Sequence, residues 1–324
     1  MAMNNTADHD LTVIAWTKKQ LIALGYKIID GPIVVRDMPW SKVSLFKTSK
    51  GSVYLKQMAA PFVIEPKILQ FMHENFSTAV TEVIAVNDQL SCFLMKDAGQ
   101  VLRDIQKQNF QTQLFYNALK THAQIQSASI PFVESFILMG VNDWRLKKLP
   151  DLYREFVARE HLLEAARLSK YEIEMLQKLS PQTQILCEQL SAYNIPETIE
   201  HNDFHDNNVL IQDDCITIND WGDACISHPF FSLATALNSA DRNHNLKKTE
   251  SRYFQAQSAF LESWLDYGTI DALREAFLIA GKLSYFQFAL SFSRIESCVS
   301  VEEFGLYSGY MAEALRDFLH TVQE

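Results

Sequence analysis

Polar and apolar positions divide this chain into two regions of different rhythm. In the first third, short apolar runs alternate with polar residues. Residues 43–48 (VSLFKT) and 52–58 (SVYLKQM) flank Ser49-Lys50-Gly51, which predicts a hairpin with glycine at the turn. Ile33-Val34-Val35 is a β-branched strand candidate just before it. Residues 66–75 predict a helix: Pro66 suits a first helical position, and Ile68, Leu69, Phe71 and Met72 form an apolar face. Two short strands, 80–86 and 91–95, follow around Asn87-Asp88. After Asp97-Ala98-Gly99 the apolar spacing turns helical, as in FYNALKTHAQI and YEIEMLQKL, until about residue 190. A small β region interrupts at 209–218, and from Phe230 onward the pattern is helical again. A β-rich part followed by a mostly helical part predicts an α+β fold in two lobes, residues 1–96 and 97–324.

Composition adds little to that outline and excludes several functions. The 324 residues are 48% hydrophobic and 21% charged, an ordinary globular balance. The net charge of −10 disfavours nucleic acid and anionic membranes as partners. It suits a cationic or metal-complexed ligand, or solubility alone. Five cysteines without a CxxC pair argue for a reducing compartment and against a disulfide framework or zinc site. The polar start MAMNNTADHD has no apolar core of a leader, and no apolar run approaches the ~18 residues of a membrane span. A cytoplasmic protein is expected.

The chemistry concentrates in residues 200–211, EHNDFHDNNVLI. If 209–211 and 216–218 pair as a hairpin through the turn at 212–215, Asn208 lies beside Asp220. An amide oxygen and a carboxylate together suit Mg²⁺, which also takes water and substrate phosphate. Asp203 enters from the preceding loop, where a carboxylate can accept a proton from a hydroxyl. The spacing His201-x-Asp203-x₄-Asn208 matches a protein-kinase catalytic loop, and Asp220-Trp221-Gly222 matches its metal-binding segment. The same stretch has other readings. His201, Asp203 and His205 alternate as ligands of a metal-dependent hydrolase would. A kinase-like nucleotide-binding protein without catalysis is a third. His205 and Asp206 also read simply as polar loop residues, and Asp213 and Asp214 as turn residues. Trp144, Trp221 and Trp264 read as packing residues.

Two segments, IPETIEHNDFHDNNVLI and ITINDWGDACISHPFFSLA, resemble the aminoglycoside phosphotransferase and choline kinase group, whose patterns are P-x₄-H-G-D-x-H-x₂-N and I-D-F/W-x-D-A-x₃-D-P-x₂-D-L-A. The resemblance implies a two-lobed protein-kinase-like fold and transfer of phosphate to a hydroxyl of a small molecule, aminoglycoside-like, choline-like or another metabolite. It implies Mg²⁺ and ATP, with GTP not excluded. Asp203 would be the catalytic base, Asn208 and Asp220 the metal ligands, His201 an anchor of the loop and Asp223 a loop-positioning acid. Lys56 would hold the phosphates, braced by Glu65 or, second, Glu74. The loop over the phosphates would be residues 36–42 (RDMPWSK), aided by Ser41 and Lys42, and the hinge would lie near 94–97. His122, in LKTHAQIQ, resembles the family's helix between hinge and catalytic loop and is expected to pack as a hydrogen-bonded helix histidine. The chain departs from the pattern at four places: Asn202 stands for glycine, His228 and Ser232 stand for aspartates, and residues 36–42 contain no glycine.

Overall fold

The computed structural model describes residues 7–107 and 109–323. The first six residues of MAMNNTADHD, read above as lacking a leader, lie outside the described residues. The chain opens on helix α1 (Ala7–Ala23), which the sequence reading did not anticipate. Val13, Thr17 and Leu21 recur at every fourth position and are fully buried, so the helix has one inward stripe.

Strands β1 (Ile28–Met38), β2 (Ser41–Thr48), β3 (Gly51–Met58), β4 (Val83–Asn87) and β5 (Cys92–Lys96) form an antiparallel sheet in the order β1-β2-β3-β5-β4. The predicted hairpin is β2–β3, registered Thr48↔Gly51 and Val43↔Lys56. β1 is longer than the predicted strand at 33–35. The strand expected from residue 80 starts at Val83, because Val80 instead bridges to Ile218, far along the chain. Alternation gives the sheet two faces. The outer face packs Phe46, Val53, Leu55 and Leu94 against Val13 and Leu21 of α1 in a separate small core. The inner face carries Met58, Phe93 and Met95 into the main core, together with Ile68, Leu69 and Met72 of α2 (Glu65–Asn75).

After Lys96 the chain turns at Gly99, whose φ of 105° only glycine adopts readily; a Cβ there would meet the Ile211 carbonyl oxygen at 2.1 Å. The short strand β6 (Gln100–Val101) and helix α3 (Leu102–Gln106) follow, then α4 (Thr112–Ser129). In α4, Phe115, Ala118, Leu119, His122, Ile125 and Gln126 form a buried stripe at helical spacing. Helix α5 (Val133–Met139) and strand β7 (Asn142–Asp143) lead to α6–α9 (Leu149–Val157, Glu160–Ala165, Lys170–Lys178, Ser180–Ser191). The β insert expected at 209–218 is present as β9 (Val209–Gln212) and β10 (Cys215–Ile218), joined by a turn in which Asp213 and Asp214 both have positive φ. The order β10-β9-β6 makes one small sheet; β8 (Thr198–Glu200) and β11 (Cys225–Ser227) make another with β7, in the order β7-β11-β8. Helices α10–α14 (Phe230–His244, Ser251–Leu261, Ile270–Phe292, Val301–Tyr307, Gly309–Gln323) close the molecule. Trp144, Trp221 and Trp264 are all buried in the main core, as packing residues should be. Among the described residues, no helix is long and apolar enough to cross a membrane. The architecture is α+β.

Candidate active site

Lys56 projects from the inner face of β3 and is only 5% exposed. Its Nζ lies 2.6 Å from Asp220 Oδ1 and 2.6 Å from Oε2 of Glu65, in the first turn of α2. Burial works to lower the ammonium's pKa, but the two carboxylates outweigh it and hold the pKa well above the ordinary lysine value. Burial also raises Asp220, yet the Lys56 ammonium outweighs this and brings it down to about 2. Glu65 is fully buried, and burial pushes it up to about 7 against the pull of Lys56. One cation thus holds two carboxylates from opposite parts of the chain.

Asp220 reaches Lys56 from a left-handed residue, φ 65°. The chain is pinned on either side of it. Trp221 is fully buried, its indole N–H donates to the Ile218 carbonyl at 3.1 Å, and its ring lies 4.7 Å from that of His201. Gly222 then passes under Glu65: a Cβ there would sit 3.3 Å from Glu65 Oε2 and 3.6 Å from Phe62 Cβ. Gly222→Ala is therefore expected to lever Glu65 away from Lys56 and cost about 1–3 kcal/mol. Urea unfolding measures it, and an unchanged midpoint would show that Glu65 has room to move.

The second cluster hangs on the loop after β8. His201 is fully buried, and burial lowers its pKa, which keeps the ring neutral. Its Nε2 donates to the Asn219 carbonyl at 2.8 Å, and its Nδ1 accepts from the Asp203 amide at 3.3 Å. The anchor expected from the resemblance is therefore physical: one ring ties the Asp203 loop to the residue before Asp220. Asn208 donates its side-chain NH₂ to the Asp203 carbonyl at 2.9 Å and to Asp203 Oδ2 at 3.2 Å, which leaves its Oδ1 as the donor atom for a cation. The Asn219 amide donates to the Asn208 carbonyl at 2.8 Å, so the β9–β10 hairpin sets Asn208 beside the Asp220 segment. Thr81 adds a bond to Asn219 Oδ1 at 2.8 Å from the N-terminal sheet region. The Asp203 side chain is 39% exposed, so a substrate hydroxyl has access to it. Burial works to raise its pKa, but His205, with Nε2 at 3.2 Å from Oδ1, outweighs that and keeps the carboxylate below the ordinary range.

The cluster read as a hydrolase site does not form. Both His201 nitrogens are committed to backbone groups, so only Asp203 and His205 of that trio remain side by side. Among the described residues, no group of three or more His, Cys, Asp or Glu side chains is arranged to hold a metal ion.

Lys42 does not join the site either. It pairs across the hairpin with Gln57, on the outer face, and its Nζ bonds Asp10 of α1 at 2.7 Å. The connection between β1 and β2 is only Pro39-Trp40, and Ser41 lies within β2, on the face of Val43 and Lys56. Glu74 is exposed and takes no part. The cation of the expected 36–42 loop that does reach the site is Arg36, which the sequence reading does not single out. It pairs with Val43 in β1, on the Lys56 face, and its guanidinium lies 3.9 Å from Asp220 Oδ2. Strand alternation carries that signal.

Asp206 and His205, read as plain loop residues, are both engaged. Asp206 is buried and accepts from Arg103 at 2.8 and 3.0 Å and lies 2.5 Å from His244 Nε2. Asp223 accepts from Ser291 at 2.8 Å and from Arg294 at 3.4 Å, and burial pushes it up to about 6. His122 differs from expectation: neither ring nitrogen has a partner. It is held by stacking on Phe204 at 3.9 Å, and burial keeps it neutral. His228 is neutral as well, pushed down to about 3 by burial, and its Nδ1 accepts from the Phe230 amide at 3.3 Å, an acceptor's role that an aspartate there would also fill.

Asp203 and Asp223 open into a cavity of about 520 Å³ whose wall includes Arg36, Tyr285, Phe288 and Tyr310. A carboxylate at the mouth of such a cavity, beside a lysine-bridged carboxylate pair, has the layout of a group-transfer centre.

Comparison with known proteins agrees. The model of the phosphotransferase enzyme family (APH) matches residues 44–272, more than half the chain. No curated protein matches. Among solved structures, a Plasmodium vivax ethanolamine kinase superposes with a TM-score of 0.62 at 13% identity, over 98% of this chain and 91% of that one. The amicoumacin kinase hAmiN, in complex with AMP-PNP, Ca²⁺ and Ami, gives 0.57 at 13% identity over 93% and 96%. The GDP and kanamycin complex of APH(2")-IIIa gives 0.59 at 15% identity over 93% and 98%. At these identities the likeness establishes the kinase-like α+β fold, and the family match carries the activity. The chain belongs to the phosphotransferase enzyme family of small-molecule kinases.

Proposed function

We propose that this phosphotransferase is ATP- and Mg²⁺-dependent and phosphorylates a hydroxyl of a small, amine-bearing molecule. Residues 1–96 serve the nucleotide and residues 97–324 serve catalysis and the acceptor. The observation that carries this reading is the Lys56 bridge, 2.6 Å to each of Glu65 and Asp220, adjoining the exposed Asp203 carboxylate.

The donor set fits the cation: a carboxylate at Asp220, an amide oxygen at Asn208, and water and phosphate for the rest. When bound, Mg²⁺ neutralises charge building on the transferring phosphates. The side chains do the rest. Lys56, fixed by Glu65, holds the α and β phosphates, while Arg36, Ser41 and the backbone of the β1–β2 turn line the approach. Asp203 orients the acceptor hydroxyl and takes its proton as the new oxygen–phosphorus bond forms and the bond to the β-phosphate oxygen breaks, releasing ADP. Asp203, held below the usual carboxylate range, stays ionised for this work.

The acceptor's amine is supported by acidic residues in the cavity lining, where burial and Glu313 push the Asp317 carboxyl up. Arg242 is offset by Glu313 at 3.6 Å and Arg103 by Asp206, so a cation meets little repulsion there. Kinases for ethanolamine and complexes with kanamycin among the similar structures support the same class.

The test is a melting-temperature screen of hydroxylated amines, sugars and antibiotics with Mg²⁺ and a non-hydrolysable ATP analogue. Bound ligand raises stability by mass action, about 2.7 kcal/mol at a hundredfold excess over Kd. The nucleotide shift is expected to need Mg²⁺ in the wild type and to lose that dependence in Asp220→Ala. A wild-type shift indifferent to Mg²⁺ would remove the metal from the reading.

A further inference from the structure

Glu200 is a fully buried acid that the proposed chemistry leaves unused. It ends β8, one residue before His201. Its carboxylate has only neutral hydrogen-bond donors around it. Oε1 accepts from the Asn202 amide at 3.2 Å and from the Ser232 hydroxyl. Oε2 accepts from Gln126 Nε2 at 2.9 Å. A carboxylate buried without a cation is expensive, and an apolar residue on this short strand would pack at far lower cost.

What the carboxylate holds is the residue before Asp203. Asn202 is left-handed, φ 64°, a conformation that glycine adopts freely and asparagine only with support. The support is complete. Glu200 takes its backbone N–H, its side-chain NH₂ donates to the Asp223 carbonyl at 2.7 Å, and its Oδ1 accepts from Gln287 of α12. Gln126 of α4 is locked in turn to the Pro229 carbonyl at 3.1 Å. Gln126 of α4 and Ser232 of α10 thus hold the Glu200 carboxylate, Gln287 of α12 and the Asp223 carbonyl hold the Asn202 side chain, and Glu200 joins the two sets at the Asn202 N–H. Ser232, whose hydroxyl touches Glu200 Oε1, stands where the family pattern has aspartate.

We infer that Glu200 is a positioning residue: its carboxylate, on β8 and in contact with the Ser232 hydroxyl of α10, fixes the left-handed Asn202 and thereby the aim of Asp203. The inference rests on the reading of Asp203 as the base. It also explains how the chain dispenses with glycine at 202, since the side-chain amide that glycine lacks is itself used by Asp223 and Gln287. Pushed up by burial to about 8, Glu200 carries its proton most of the time at neutrality; its oxygen still accepts from Asn202 in either state.

The experiment measures Mg-ATP hydrolysis, with water as acceptor, together with the melting temperature. Glu200→Gln keeps an acceptor oxygen and is expected to retain kcat within about threefold. Glu200→Leu removes it and is expected to lower kcat about tenfold or more while KM for ATP stays within about twofold. Adding Ser232→Asp to Glu200→Leu returns a carboxylate to the same spot from α10 and is expected to restore kcat. A folded Glu200→Leu protein that hydrolyses ATP as fast as Glu200→Gln overturns the inference. So does a double variant whose melting temperature recovers and whose kcat does not. If Glu200→Leu alone fails to fold, the double variant decides: folded and active supports the inference, anything else overturns it. Asp203→Ala separates the two levels. Loss of hydrolysis there with none in folded Glu200→Leu removes the positioning role alone, whereas full hydrolysis in Asp203→Ala removes the base reading beneath it.

Discussion

Asp203→Ala is expected to lower turnover by about 10²–10⁴-fold with nucleotide affinity preserved. The span corresponds to about 2.7–5.4 kcal/mol of transition-state stabilisation, the range of one well-placed general base. The variant should fold, because Asp203 is partly exposed and its main-chain bonds to His201 and Asn208 survive truncation. Steady-state kinetics separates the outcomes: kcat falls and KM for ATP holds. Near-normal kcat would leave the exposed carboxylate without a role in proton transfer. The pH profile offers a second check. His205 keeps Asp203 below the ordinary carboxylate range, so the acid limb of kcat should lie at lower pH than for a free carboxylate. His205→Ala should move that limb upward.

The second large effect is expected at Lys56, and it should appear in stability as well as activity. Lys56→Met removes the cation between two carboxylates, one of them fully buried. Breaking a buried ion pair by deleting one partner costs about 3–5 kcal/mol. The pH dependence should change with it. In the wild type Asp220 is depressed to about 2, so its contribution is present above the unfolded carboxylate pKa and is lost only as pH falls toward 2. Glu65 is raised to about 7, so its folded form prefers the proton, and its share of stability is lost as pH rises through 7. Without Lys56 the depression of Asp220 disappears and the elevation of Glu65 grows. As pH falls from about 8 to about 5 the variant should gain more melting temperature than the wild type, because its Glu65 is raised further and its Asp220 is no longer held down by Lys56. A variant as stable as wild type, with an unaltered pH profile, would mean that the bridge is not formed in solution.

How far the residues announced these sites depends on the kind of information each needs. The β2–β3 hairpin was legible because alternation and a glycine turn are local signals. So was the β9–β10 hairpin, and with it the adjacency of Asn208 to the Asp220 segment, since antiparallel register is set by the turn. Helix α1 has a weaker signal: Val13, Thr17 and Leu21 keep helical spacing, but the apolar stripe is only one residue wide per turn. Lys42 and Arg36 show a different gap. Alternation places them on opposite faces, but nothing in the order of residues says which face α1 will cover. Glu200 carries no local signal, because a lone glutamate looks the same in sequence whether solvated or buried.

The sequence by itself determined the chemical inventory: the spacing of His201, Asp203 and Asn208, the Asp220-Trp221-Gly222 turn, the β-rich and helical halves, and the family. These are short-range properties, fixed by backbone periodicity and turn geometry. Only the tertiary structure decided that Lys56 meets Asp220, 164 residues away, that Lys42 is spent on α1, and that the buried Glu200 meets the Asn202 amide. The physical reason is that charge, desolvation and hydrogen bonding act over a few ångströms of space, whatever the distance along the chain, and only packing sets which groups come that close.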